Sequence, residues 1–209
     1  MGNNATLIEN YLDEILPNVG CELIYHKDYE LLLAVMLSAQ TTDKAVNKAT
    51  EPLFAKYQTL EELASLSPED LYPYIGKLGM YKAKANNVIG IAKGLLERFN
   101  GKVPNNKEDL MSLPGVGNKT AEVVIIELFK DPQFPVDTHV SRIAKRLKLA
   151  KENDDVIEVE NILRKAFPKE SWIKLHHQFI HFGRIQCKAK NPQCENCRLI
   201  EVCREKRCK

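Results

Sequence analysis

The chain has 209 residues, a formal net charge of +2, 44% hydrophobic and 28% charged residues. At roughly 150 residues per domain this is one domain or two small ones, with the balance of a folded protein rather than a disordered one. The longest apolar run, residues 31–37, falls far short of the ~20 residues of a membrane-spanning helix, and the polar, then acidic N-terminal segment is unlike a secretory signal.

The pattern is helical almost throughout. Leu7, Ile8, Tyr11, Leu12, Ile15 and Leu16 recur at helical spacing, and Pro17 ends that segment. Residues 29–39 predict a second, strongly apolar helix. Thr59 and Glu62 form a capping box, and Ser67-Pro68 is an N-cap followed by proline at the first helical position. Residues 81–99 predict a longer amphipathic helix closed by Asn100-Gly101, and residues 107–112 a short one stopped by Pro114-Gly115. Residues 118–130 predict a single helix, apolar from Val123 to Ile126 and therefore buried. Further helices are predicted over 137–149, 156–167 (capped by Asp154 or Asp155) and 171–185. No period-2 stretch of any length, long-range repeat or low-complexity linker is present. The richest breaker stretch, Asp131-Pro132-Gln133-Phe134-Pro135, is the expected domain boundary.

Charge is unevenly distributed. Residues 1–30 carry one base against six acids, residues 137–151 five bases against Asp137, and residues 184–209 eight bases against three acids. Two basic stretches on a nearly neutral chain suggest a face for a polyanion, with a solvated charged surface as the plain alternative. Four of the six cysteines, Cys187, Cys194, Cys197 and Cys203, fall within seventeen consecutive positions. With no secretory signal the reducing cytosol is the expected compartment, where clustered thiols read as metal ligands before disulfides. Cys21 and Cys208 lie outside the cluster.

Three constellations carry chemistry. In the first, Leu113-Pro114-Gly115-Val116-Gly117-Asn118-Lys119-Thr120-Ala121, a short helix, a tight Pro-Gly-x-Gly turn and a second helix follow one another. The glycines allow a sharp turn and close approach to a ligand, and the helix start suits a phosphate. The P-loop spacing is absent. Lys119, just inside that helix, is a phosphate contact, a surface charge or a nucleophile. A nucleophilic amine must be neutral, and partial burial at a helix N-terminus disfavours an ammonium.

The second is Pro135-Val136-Asp137-Thr138-His139-Val140, where Asp137 opens a helix as an ordinary N-cap, a catalytic carboxylate, or both. The third is Cys187-x6-Cys194-x2-Cys197-x5-Cys203. One Cys-x2-Cys pair with two longer, unequal spacers suits an iron–sulfur cube at least as well as zinc, and disulfides remain a third possibility. His176, His177 and His181 share a helix without a His-Glu-x-x-His pattern and read as packing and hydrogen-bonding residues.

In this order the three constellations resemble one family, the endonuclease III branch of the helix-hairpin-helix DNA glycosylases. The first looks like its hairpin, Val136-Asp137-Thr138-His139 like its catalytic aspartate motif, and the cysteine spacing like that of its [4Fe–4S] cluster. Leu37-Ser38-Ala39-Gln40-Thr41-Thr42-Asp43 and Ile75-Gly76-Lys77-Leu78-Gly79-Met80-Tyr81 resemble two further loops. The match covers essentially the whole chain.

The resemblance implies an all-α, two-domain glycosylase fold with a DNA cleft between the domains. A six-helix domain would span residues 22–131, and an iron–sulfur domain would join residues 1–21 to 132–209. The implied activity is base excision repair: removal of oxidised pyrimidines of the thymine glycol type, then strand cleavage by β-elimination through a lysine Schiff base. Lys119 would be the nucleophile and Asp137 the catalytic carboxylate. Gly115, Val116 and Gly117 would offer N–H groups to a DNA phosphate. Gln40 would fill the vacated base space and Met80 wedge the stack, although the family more often has leucine there. Asp43 would line the pocket or cap a helix. Cys187, Cys194, Cys197 and Cys203 would hold the cluster, and Arg184, Lys188, Lys190 and Arg198 would contact phosphates. The expected partner is double-stranded DNA with a damaged base or abasic site, bound by a cytoplasmic, nucleoid-associated monomer with no membrane contact. An adenine-mismatch glycosylase fits less well, because it lacks the hairpin lysine and carries a further C-terminal domain. A glycosylase for ultraviolet dimers or mismatched thymine stays open. A non-catalytic DNA-binding module with a zinc knot is the rival from another class.

Overall fold

The structure, a computed structural model, describes residues 3–205. In chain order the helices are α1 (Asn3–Ile15), α2 (Asp28–Leu37), α3 (Asp43–Lys56), α4 (Leu60–Ser65), α5 (Pro68–Ile75), α6 (Tyr81–Phe99), α7 (Lys107–Met111), α8 (Asn118–Val124), α9 (Thr138–Arg146), α10 (Val156–Ala166) and α11 (Trp172–Ile185). A π-helical segment, Ile125–Phe129, continues α8, and a 3₁₀ turn, Lys169–Ser171, precedes α11. Among the described residues there is no strand, and no helix is long and apolar enough to cross a membrane. The chain divides into two compact units, residues 22–130 and the residues up to 21 together with those from 131 onward.

In the unit of residues 22–130, every residue from Leu31 to Leu37 is at most 3% exposed. A helix with no polar face must be surrounded, and α3, α6 and α8 pack around α2. Truncating one of these leucines to alanine costs about 2–5 kcal/mol. The amphipathic α6 buries Ala85, Val88, Ile91, Ala92 and Leu95 and packs on α4 and α5. Its ends follow the sequence: Met80 and Asn100, both left-handed, bound it. The Thr59–Glu62 capping box forms, with Thr59 Oγ1 accepting from the Glu62 N–H at 3.2 Å and Glu62 Oε2 from the Thr59 N–H at 3.0 Å.

Two elements differ from expectation. The helix α3 was not predicted; its polar, Pro52-interrupted sequence hides an apolar stripe of Val46, Ala49, Leu53 and Phe54. The single helix expected over 118–130 loosens into π geometry at Ile125 and ends at Lys130, which is left-handed. This unit carries seven α-helices, α2 to α8, against the six that the resemblance implies.

In the other unit α11 packs on α1 and α9, and α10 on α9. Its core joins Ile8 and Leu12 of α1 to Val140 and Ile143 of α9 and Phe179 and Phe182 of α11. Phe134, Phe167 and Phe179 meet with ring centroids 6.2–6.4 Å apart. Asp155, rather than Asp154, caps α10 through the Glu158 N–H at 2.8 Å. The acidic first helix finds its counter-charges inside the unit. Lys174 bonds Asp13 at 2.8 Å, Ser171 bonds Glu9 at 2.6 Å, and Arg198 pairs with Glu14.

Candidate active site and cysteine loop

The hairpin is built by α7, the turn of residues 112–117 and α8. Lys107 Nζ of α7 bonds Glu122 Oε1 of α8 at 2.7 Å, and the Glu122 side chain is fully buried. The turn lies on one face of α6. A Cβ on Gly90 would sit 2.7 Å from Pro114 Cγ, one on Gly94 2.7 Å from Leu113 Cδ2, and one on Gly115 2.2 Å from Asn87 Nδ2. Positions 87, 90 and 94 share a helix face, so missing side chains on α6 are what admit the turn. Gly115 also has φ +75°, a conformation that side-chain-bearing residues rarely adopt.

Val116 buries its side chain and gives its N–H to Leu113 O at 3.2 Å. Of the three N–H groups expected to face a phosphate, Val116's is therefore used within the turn, leaving those of Gly115 and Gly117. Gly117 is the N-cap of α8, and no side chain caps that helix. Lys119 is half-buried in the first turn of α8.

Asp137 is the N-cap of α9. Its Oδ1 accepts the N–H groups of His139 at 2.8 Å and Val140 at 2.9 Å, and His139 Nδ1 lies 3.5 Å from Oδ2. Two backbone donors and the positive end of the helix favour the anion and fix its orientation. With a side chain 19% exposed, the carboxylate remains reachable.

Gln40 and Met80 are both exposed and both left-handed, with φ 54° and 58°. Asp43 is the first residue of α3, but the cap is Thr42, whose Oγ1 accepts from the Ala45 N–H at 3.3 Å.

The cysteine loop follows α11. Cys187, Cys194, Cys197 and Cys203 line one pocket whose walls include Leu147, Phe182 and Ile200. Cys187, Cys197 and Cys203 are free thiols, whereas Cys194 is in a disulfide. Cys208 lies outside the described residues. Arg146 organises the loop. Its Nη1 reaches Lys188 O at 2.7 Å and Cys187 Sγ at 3.4 Å, and its Nη2 reaches Ala189 O at 3.2 Å and Glu205 Oε2 at 2.9 Å. Arg142 Nη2 bonds Gly183 O at 3.1 Å and Cys187 O at 3.0 Å. The Glu205 N–H points at Cys203 Sγ from 3.4 Å.

Burial pushes the Cys187 and Cys197 thiols up from the ordinary cysteine value. Thiols gathered on one pocket, with N–H donors aimed at two sulfurs, fit a [4Fe–4S] cluster, whose sulfurs accept such bonds. Cys194 can join them only as a thiol. Among the described residues no three His, Cys, Asp or Glu side chains stand close enough to hold a single metal ion.

Of the remaining sequence candidates, Lys188 and Arg184 are half-buried and Lys190 is exposed. Arg198 is exposed, pairs with Glu14 and lies over the Tyr11 ring at 5.0 Å. The histidines pack: His176 Nδ1 meets Pro135 O at 2.8 Å and His181 Nε2 meets Gly20 O at 3.2 Å. Sequence reasoning missed Arg142 and Arg146; their i, i+4 spacing on the helix that Asp137 caps was the available signal.

Residues 33–169 match the model of the HhH-GPD superfamily of base excision DNA repair proteins. The chain is 43% identical over 205 residues to endonuclease III of Bacillus subtilis (strain 168), covering 97% of this chain and 94% of that protein. It is 40% identical over 195 residues to endonuclease III of Escherichia coli (strain K12), covering 93% and 92%. Among solved structures, an endonuclease III trapped as a covalent DNA intermediate superposes with a TM-score of 0.93 at 43% identity, over 98% of this chain and 97% of that one. A thermostable thymine-DNA glycosylase at 20% identity shares the fold, with a TM-score of 0.85. The chain belongs to the endonuclease III family within the HhH-GPD superfamily of base excision DNA repair proteins.

Proposed function

We propose that this protein is a bifunctional DNA glycosylase and AP lyase that removes oxidised pyrimidines of the thymine glycol type from double-stranded DNA. The damaged nucleotide leaves the stack, because its C1′ is out of reach inside a duplex; unstacking costs a few kcal/mol and least for a damaged base. Lys119 Nζ, as the neutral amine, attacks C1′, the bond from C1′ to the base breaks, and the base departs. Asp137 stabilises the positive charge that develops on the sugar and takes up a proton from the attacking nitrogen. Opening of the sugar gives an imine between Lys119 and C1′. The imine acidifies the C2′ proton, whose loss expels the 3′ phosphate oxygen by β-elimination, and water then releases Lys119.

The observation that carries this reading is the placement of Lys119, half-buried in the first turn of the helix that follows the Gly115–Gly117 turn. The covalent DNA adduct of the similar endonuclease III supports it. The N–H groups of Gly115 and Gly117 hold a phosphate, Gln40 occupies the vacated base space, and Met80 enters the stack as an apolar wedge. Asp43, at the start of the helix after Gln40, lines the base pocket. Arg184, Lys188 and Lys190 add salt-dependent phosphate affinity without sequence preference; Arg198 contributes only where its pair with Glu14 opens.

Cys187, Cys194, Cys197 and Cys203 would hold a [4Fe–4S] cluster. Bound there, it supplies iron–thiolate bonds that tie the loop together. The protein works as a monomer in the cytoplasm, on the nucleoid.

Borohydride trapping tests the reading. Protein is incubated with a duplex containing one thymine glycol, borohydride is added, and a covalent protein–DNA band is sought alongside Lys119→Gln. The expected result is a band that the variant abolishes. Base release with no band in the parent protein would remove Lys119 from its role. A band on a plain abasic site but none on thymine glycol would leave the mechanism standing and overturn the lesion.

A further inference from the structure

Lys84 is a buried cation in the unit of residues 22–130 that this mechanism does not use. It lies on the apolar stripe of α6, one turn before Val88, and is 3% exposed. Its Nζ donates to Ala39 O at 2.8 Å and to Thr41 Oγ1 at 2.9 Å, the residues immediately before and after Gln40. Its backbone N–H donates to Met80 O at 3.0 Å. The Lys84 side chain therefore ties the turn that bears Gln40 to the first turn of the helix whose N-cap is Met80.

Within the loop the Thr41 Oγ1 also donates to Ala39 O at 3.2 Å, and the Ala39 N–H to Met36 O at 3.4 Å. The Thr41 N–H reaches Ser38 O at 3.0 Å, and the Gln40 side chain itself is exposed. A non-glycine residue in left-handed conformation persists only where its surroundings over-determine it. Burial also pushes the Lys84 ammonium down from the ordinary lysine value, and the two oxygens supply the hydrogen bonds that a buried polar group requires.

We propose that Lys84 is a positioning residue that clamps the 39–41 turn against the start of α6 and so presents Gln40 and Met80 to the DNA at a fixed spacing. This rests on the reading of Gln40 as the residue that fills the vacated base space. Lys84 touches no DNA and acts through Gln40.

Single-turnover excision of thymine glycol from a duplex is measured for Gln40→Ala, Lys84→Met and the double variant, with a thermal melt of each. Lys84→Met slows excision about tenfold, as misplacement of a positioned group does. The double variant is no slower than the slower single one, the mark of residues that act as a unit. Borohydride trapping on a single-stranded abasic oligonucleotide, which has no stack to fill, stays at the parent level in Lys84→Met. Multiplying losses in the double variant, or loss of single-strand trapping along with duplex excision, overturn the inference by showing a general structural role. Should Lys84→Met not fold, Thr41→Val, which removes one acceptor of Lys84 together with the Thr41 Oγ1 donation to Ala39 O, gives a smaller loss with the same non-additivity; additive loss there overturns the clamp. If Gln40→Ala excises as fast as the parent, the base-filling reading fails and the clamp fails with it. If Gln40→Ala is slow and Lys84→Met is not, the clamp alone fails.

Discussion

The hairpin turn after α7 and the cysteine loop after α11 are both irregular segments, and they are held by opposite means. The hairpin turn is held by shape. Gly90 and Gly94 leave room on α6 for Pro114 and Leu113, and Gly115 comes too close to Asn87 to carry a side chain. The cysteine loop is held by charge. Residues 186–205 form no regular helix, so their carbonyls have no ladder, and the guanidinium groups of Arg142 and Arg146 serve as donors instead. A turn set by shape is complete as the chain folds. A loop set by charge around buried thiols would be completed by the cluster proposed for it.

The largest stability effect tests the charged side of this comparison. Arg146→Met removes the donors to Lys188 O, Ala189 O and Cys187 Sγ and the guanidinium that pairs with the mostly buried Glu205 carboxylate. The expected cost is about 3–5 kcal/mol, read by urea denaturation, together with loss of visible cluster absorption from the purified protein. A variant as stable as the parent would show that the loop is not organised by charge. Lys107→Met comes next, at about 3 kcal/mol, because it removes the cation that faces the fully buried Glu122. The double variant Lys107→Met/Glu122→Leu returns to within about 1 kcal/mol of the parent, since replacing both partners removes the buried charge as well. The hairpin can thus dispense with this ion pair as a pair, and failure of the double variant to recover would make charge essential there too.

Gly90→Ala tests shape directly. The new methyl meets the Pro114 ring, which cannot swing aside as a flexible side chain would, at a starting distance of 2.7 Å. Overpacking of this kind costs about 1–3 kcal/mol. The turn is displaced, so DNA affinity falls, while the cysteine loop keeps its absorption. Equal stability and affinity in the two proteins would mean that the close approach is not what seats the turn.

The same division explains what could be read from the sequence. Shape-determined parts announce themselves locally: the α6 stripe with Asn100-Gly101 at its end, the Pro-Gly-x-Gly turn and the Thr59 capping box are statements about neighbouring residues. The helix α3 stayed hidden because Pro52 and its many polar residues mask a four-residue stripe. The π segment stayed hidden because it has the composition of the helix it continues. The charged contacts are long-range. Nothing near Arg198 in sequence points to Glu14, and nothing near Lys84 points to Thr41. The cysteine spacing was legible, whereas the arginines that satisfy the loop between those cysteines were not.

Asp137 sits where the two regimes meet, because it serves as both a cap and a charge. Its Oδ1 satisfies the N–H groups of His139 and Val140, which any good cap does, while only a carboxylate supplies the negative charge that the proposed chemistry needs. Asp137→Asn separates the two. Asparagine caps about as well as aspartate, so the melting temperature should change little, by the equivalent of a few tenths of a kcal/mol. Excision should nevertheless fall by about a hundredfold or more, the usual worth of a positioned acid–base group. Asp137→Ala should lose the cap as well, about 1 kcal/mol further in stability, with no slower chemistry than the asparagine variant. Measured together by thermal melts and single-turnover excision, the pair reads the cap and the charge separately. If asparagine destabilises as much as alanine, or excises as fast as the parent, Asp137 is a cap and nothing more.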